Sequence, residues 1–299
     1  MPNQTDKYSL RQLIFSKQME FMMEAHSPLA AIISEKIGFQ ALWASGLSIS
    51  TLLGMRDCNE ISSDQLLNII ELMSYSVNIP ILVDGDTGFG NFNNARIFVK
   101  KLCSIGIGGV CFEDKVFPKK NSFIEKEQLL APIEEFCGKI KACKDYQSNE
   151  DFILVARTEA LVAGKDNEEA LIRAHAYVEA GADAVLIHSK LKHADEIIQF
   201  AQDWNQKTPL IAVPTTYYNT PVRDLEISGV NNIIWANHNI RSCFSGMMDV
   251  ASQIYKTNSA SNVENKIASV KDIFNLLDYK ELEDAELKYM NHIKHKNIE

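Results

Sequence analysis

Short apolar runs alternate with amphipathic stretches from about residue 20 to about residue 256, the rhythm of buried strands and covering helices around a parallel sheet. Eight runs read as strands, at residues 21–25, 41–44, 81–83, 109–112, 152–156, 184–187, 210–213 and 232–235. Between them apolar residues recur every three to four positions, as over 93–105, 133–144, 168–180 and 195–204, which predicts helices with one buried stripe. Eight such units in about 240 residues is the size of an α/β fold of the (β/α)8 TIM-barrel kind.

The competing architecture is an open doubly wound sheet, and polar residues separate the two. Ser45, Asp84, Asp86, Glu113, Arg157, His188 and Asn237 follow the apolar runs of six different strands. A barrel brings those strand ends to one face, whereas an open sheet concentrates its ligand groups at a switch point. Outside the barrel, residues 9–18 read as a short helix, 256–264 as a polar linker, and 265–293 as a return of helical periodicity. The expected domains are therefore 1–256 for the barrel and 257–299 for a helical extension. An amphipathic helix with no place in the barrel must bury its apolar face on the barrel end or on a partner subunit, and the partner is the favoured reading.

Composition narrows the function. The 299 residues are 46% hydrophobic, enough for a full core. A net charge of -9 with no long basic run argues against a nucleic-acid binder. No stretch reaches the roughly 18 to 20 apolar residues that span a bilayer. Six scattered cysteines lack zinc spacing and read as reduced thiols. The chain opens with polar Asn3, Gln4, Asp6 and Lys7, without the apolar core of a signal peptide, so a cytoplasmic protein is expected.

The candidate chemistry sits at the strand ends. Asp84-Gly-Asp-Thr-Gly-Phe-Gly90 places two carboxylates together after an apolar run; burying both is costly unless a cation neutralises them, although an Asp-Gly turn in solvent has the same spelling. Glu113 and Asp114 on the next strand are expected to enter the same crevice, and Asp57 is a further acid after the second unit. Hard oxygen donors with few soft neighbours suit magnesium or manganese. Trp43-Ala-Ser-Gly-Leu-Ser48 offers backbone N–H groups at a strand end, either for an anion or simply for a turn. Arg157 suits a carboxylate or phosphoryl group, or else an ion pair with Glu159; His188 is a base, a donor or an interior imidazole. Lys119, Asn121 and Ser122 add a cation and neutral polar groups on a loop that could enclose an anionic substrate.

Three of these strings, Trp43 to Ser48, Asp84-Gly-Asp-Thr-Gly-Phe-Gly-Asn-Phe-Asn-Asn94 and Glu113-Asp-Lys-Val-Phe-Pro-Lys-Lys-Asn-Ser122, closely resemble the phosphoenolpyruvate mutases of the isocitrate lyase and mutase superfamily. The resemblance implies an isomerase, an intramolecular phosphotransferase that interconverts phosphoenolpyruvate and phosphonopyruvate for phosphonate biosynthesis. It implies a barrel whose eighth helix is exchanged between subunits, with dimers pairing into homotetramers, and a downstream enzyme that consumes phosphonopyruvate. Asp84 would ligate Mg2+, or Mn2+ as a substitute, directly, with Asp57, Asp86 and Glu113 acting mainly through water. Ser45, Gly46 and Leu47 would bind the pyruvyl end beside Trp43. Arg157 and His188 would face the anionic groups, and Lys119, Asn121 and Ser122 would lie on a gating loop. Two rivals share the pocket. Phosphonopyruvate hydrolases match less well at Asn121, and the carbon–carbon lyases carry a cysteine in the loop where this chain has Lys119-Lys-Asn-Ser122.

Overall fold

The structure is a computed structural model and describes residues 8–122, 128–205 and 208–290; the polar segment Asn3 to Lys7 and the last residues of the expected 265–293 helical stretch lie outside them. Eight parallel strands close in sequence order into a barrel. They are β1 (Glu20–Ala25), β2 (Ala41–Ala44), β3 (Ile81–Asp84), β4 (Gly109–Glu113), β5 (Ile153–Thr158), β6 (Ala184–Ile187), β7 (Leu210–Ala212) and β8 (Asn232–Trp235). The register Glu20↔Asn232 seals β8 against β1, and the open sheet is thereby excluded. Every expected strand is present, three with both ends as expected and the others with ends displaced by at most two residues.

The helices are α1 (Leu10–Ile14), α2 (Pro28–Ile37), α3 (Gly46–Leu52), α4 (Ser63–Ser76), α5 (Phe92–Ser104), α6 (Ile133–Tyr146), α7 (Asn167–Glu179), α8 (Asp195–Trp204), α9 (Val222–Ser228), α10 (His238–Thr257), α11 (Val270–Leu276) and α12 (Tyr279–Met290). Side chains alternate across each strand, so two cores form. Met22, Leu82, Cys111, Ile153, Val155, Leu186, Ile211 and Ile234 pack together with Leu10, Leu13 and Ile14 of α1. A second layer joins strands to helices, with Val83, Val110 and Leu154 against Leu66, Phe98, Phe136 and Tyr177. The α1 helix is shorter than the expected 9–18 because Ser9 and Gln12 close a capping box at its start and the helix stops at Ile14.

The chain falls into two compact units, one up to Ile240 and one from Arg241 on. α10 begins shortly after β8, and Ile240 in its first turn is buried. In the second unit a 3-10 turn, Glu264–Lys266, precedes α11, which Ser269 and Asp272 cap reciprocally. The expected single helical run breaks before α12 at Asp278, whose φ is 52°. Among the described residues no helix is long and apolar enough to cross a membrane.

Candidate active site

The C-terminal ends of the strands form one cavity lined by Trp43, Ser45, Leu47, Asp57, Asp84, Lys119, Asn121, Ser122, Arg157, His188, Val213, Thr215, Ala236 and Asn237. Ten of the expected site residues thus meet on one face. The other three, Gly46, Asp86 and Glu113, stand against the acidic side of the same place. Gly46 N donates to Asp84 Oδ2 at 3.2 Å, and Asp86 N donates to Asp84 Oδ1 at 3.3 Å. A Cβ on Gly46 would lie 3.1 Å from Asp86 Oδ1 and 3.2 Å from Asp84 Oδ2, so glycine lets α3 start close to both carboxylates. Gly85 is needed for the opposite side, since a Cβ there would meet the Phe112 ring at 2.5 Å. The strand end then turns at Asp86, which adopts a left-handed φ of 48°, a conformation Asp tolerates better than most residues.

Electrostatically the acids are crowded. Burial, reinforced by Asp84, Asp57 and Glu113, pushes the Asp86 carboxyl up to about 7 although Lys119 pulls the other way. Lys119 Nζ lies 2.5 Å from Asp86 Oδ1 and 2.9 Å from Asp57 Oδ1. Burial works against that ammonium, but Asp86, Asp57, Asp84 and Glu113 outweigh it and hold its proton firmly. Burial would also raise Asp57; the Lys119 charge and hydrogen bonds from Lys119 and Asn121 reverse that and lower it. Asn121 Nδ2 donates to Asp57 Oδ2 at 2.8 Å. Glu113 is 1% exposed, and neither of its carboxylate oxygens accepts a hydrogen bond among the described residues. Its nearest cations are Lys115 Nζ at 3.3 Å and Arg157 Nη2 at 3.6 Å.

The opposite wall is cationic. Arg157, at the end of β5, donates through Nε to Glu159 Oε1 and places Nη2 2.8 Å from His188 Nδ1. The ion pair with Glu159 is present, and the same guanidinium also lines the cavity. Burial, then the neighbouring Arg157 charge, lowers the His188 pKa, so the ring is neutral near pH 7.

One expectation fails. Asp114 does not enter the crevice, because adjacent residues of a strand face opposite sides; with Glu113 inward, Asp114 turns into the helix layer. There Asp114 Oδ2 accepts from Tyr177 Oη at 2.7 Å and Arg173 Nη1 at 3.3 Å, and Oδ1 accepts from Glu159 N at 2.8 Å.

Several residues of the site were not singled out in the sequence. Asn59 donates to Asp86 Oδ2 at 3.1 Å and accepts from Lys119 N at 2.6 Å, fixing the loop over the acids. Lys115 Nζ donates to Lys120 O at 2.9 Å and Ser122 Oγ at 2.8 Å. Thr215 lines the cavity after β7. A polar residue two places beyond Asp57, and a lysine straight after two acids, are the signals that could have pointed to Asn59 and Lys115; Thr215 follows a strand as inconspicuously as any turn threonine.

A family model described as phosphoenolpyruvate phosphomutase matches residues 10–255. A phosphoenolpyruvate phosphomutase of Tetrahymena pyriformis is 52% identical over 282 residues, covering 94% of each chain. Among solved structures, the phosphoenolpyruvate phosphomutase of Streptomyces platensis subsp. rosaceus superposes with a TM-score of 0.92 at 38% identity, covering 94% of this chain and 98% of its own. A phosphonopyruvate hydrolase in complex with oxalate and Mg++ gives 0.88 at 36% identity over the same shares. With its barrel matched end to end and its three strand-end strings gathered at one cavity, the chain belongs to the phosphoenolpyruvate phosphomutase family.

Proposed function

We propose that the chain interconverts phosphoenolpyruvate and phosphonopyruvate in this cavity, and that a divalent cation, magnesium first, assists it. The observation that carries this reading is the pairing of a crowded acid cluster with a loop bearing Lys119, Asn121 and Ser122 opposite Arg157 and His188. A mutase relative at 52% identity against a phosphonopyruvate hydrolase at 37% in the same sequence comparison favours the mutase between the two phosphonopyruvate reactions.

The residues present fit a hard cation. Glu113 has two buried oxygens that accept no hydrogen bond among the described residues, and its charge joins those of Asp84, Asp57 and Asp86, a donor set of oxygens alone. In this reading Asp84 would ligate the ion directly, and Asp57, Asp86 and Glu113 would hold it through its waters. When bound, the cation stabilises the enolate charge that develops on the pyruvyl oxygens.

The reaction asks for positioning more than for a nucleophile. The carbon–phosphorus bond breaks with its electrons left on the pyruvate enolate, and an oxygen–phosphorus bond forms at the enolate oxygen; no water is consumed. The phosphoryl group in transit resembles metaphosphate, so it must be held and kept dry. Arg157, always charged, and Lys119 offset its negative charge. Neutral His188 adds a hydrogen-bonding group without adding charge. Asn121 contributes an amide that neither attacks nor exchanges protons. Trp43 packs beside the pyruvyl end, whose oxygens face the backbone of Ser45, Gly46 and Leu47 at the start of α3.

The lyase reading loses its acid. No cysteine occupies 115–122; Cys111 lies within β4 and burial pushes its thiol well up, and Cys137 lies within α6. Incubation with phosphonopyruvate and magnesium is expected to yield phosphoenolpyruvate, and accumulation of pyruvate with free phosphate would move the assignment to the hydrolase.

Phe244, Met247 and Met248 of α10 are more than half exposed, and a second copy of the chain exchanging this helix would bury them. Sedimentation should give a multiple of 33.6 kDa; a monomer mass would contradict the exchange. Phosphonopyruvate is the less stable partner of the equilibrium, so the biosynthetic direction requires a downstream enzyme that removes it.

A further inference from the structure

Ser122, Arg157 and His188 come from the loop after β4, from β5 and from the residue after β6, yet all three meet one carboxylate that does not line the cavity. Glu159 is 0% exposed. Its Oε1 accepts from Arg157 Nε and lies 2.8 Å from His188 Nδ1, and its Oε2 accepts from Ser122 Oγ at 2.8 Å. Lys115 Nζ stands 3.6 Å away and donates to the same Ser122 hydroxyl at 2.8 Å. The serine proton is thus committed to Glu159 and one of its lone pairs to Lys115, which makes Ser122 a tether within the protein.

We propose that Glu159 is the positioning residue of this site: one buried carboxylate sets the mutual geometry of Arg157, His188 and Ser122, so that the groups holding the migrating phosphoryl and the loop segment beside it are fixed together. The inference rests on the mutase reading for its kinetic consequence. Three features of the carboxylate suit the role. It is anchored from behind, since its own backbone N donates to Asp114 Oδ1 at 2.8 Å, and Asp114 is in turn held by Tyr177 and Arg173 of α7. It has two oxygens and serves both sides, one toward β5 and β6 and the other toward the loop. A buried, fully paired carboxylate also has few alternative rotamers, because any move strands at least one cation. Displacement by about 1 Å of groups that hold a reacting centre can cost 100-fold in rate.

Glu159→Gln keeps the shape and removes the charge, and an amide cannot accept from all three partners while its NH2 end faces a donor. The variant should show kcat lowered about 10- to 100-fold with KM changed far less, because the geometry matters most where the phosphoryl group is in flight. Ser122→Ala should lower kcat by itself, Ser122→Thr should restore it, and the Ser122→Ala/Glu159→Gln double variant should be no slower than Glu159→Gln. Fully additive losses, or unchanged kcat in Glu159→Gln, would overturn the proposal. If Glu159→Gln does not fold, the Ser122 pair decides: equal rates in Ser122→Ala and the parent overturn it. A readout without turnover separates this from the function itself. In ring-15N spectra of labelled histidines, Glu159→Gln should shift the His188 Nδ1 resonance; an unshifted resonance contradicts the positioning role even in a protein that makes phosphoenolpyruvate, and a shift in a protein that makes none leaves the positioning standing and removes the proposed reaction.

Discussion

Asp84 is gripped by two backbone donors, Gly46 N and Asp86 N, whereas Asn121 reaches Asp57 from the loop; the two residues should therefore fail differently. Asp84→Ala is expected to abolish magnesium-dependent turnover, by more than the 10- to 100-fold that the loss of an outer partner costs, with the fold retained by circular dichroism. Asn121→Ala should slow phosphoryl transfer about 100-fold while magnesium affinity, read by calorimetry, stays within a few-fold of the parent. Full activity in the first would remove the metal assignment, and unchanged rates in the second would leave the loop as a mere cover. Asp84 was legible because it ends an apolar run, so its address could be read from the pattern, and Asn121 because it lies on the polar loop that follows Glu113. Glu159 was visible only as a possible partner of Arg157, since nothing in a linear string shows that β6 and the loop return to the same carboxylate.

At the scale of elements, the strands were legible from short apolar runs, and helix limits less so. α1 ended early, because where a helix stops depends on capping and on which long-range contacts are made. Asp114 shows the finer failure. Two acids in a row at a strand end cannot both face inward, and the second joins β4 to α7 through Tyr177 and Arg173. Burial raises the Asp114 carboxyl from 3.8 to about 6, against the hydrogen bond from Tyr177. A folded pKa above the unfolded one means stability falls as pH rises from about 4 through about 6. Tyr177→Phe removes that donor and lifts the folded pKa further, so it should cost about 1.5–3 kcal/mol at pH 8 and less at pH 5, where Asp114 is protonated in both proteins. Urea titrations at the two pH values check this; an equal loss at both would show that the tyrosine hydroxyl does not support the charged form.

For the whole molecule, closure of the barrel is what turns scattered polar residues into a site. Acids from β3 and the loop after α3 meet cations from β5 and the loop after β4 across one cavity, with Glu113 of β4 beside Arg157, and water exclusion there is the difference between moving a phosphoryl group and hydrolysing it. The surrounding frame resembles both a mutase and a hydrolase in solved structures, at TM-scores of 0.92 and 0.88, so the fold alone does not choose between them. The direct test is phosphorus NMR of phosphonopyruvate turned over with magnesium in 18O-enriched water. The phosphonate resonance should give way to that of phosphoenolpyruvate, with no 18O-induced shift on its phosphoryl group; inorganic phosphate carrying 18O would contradict the account.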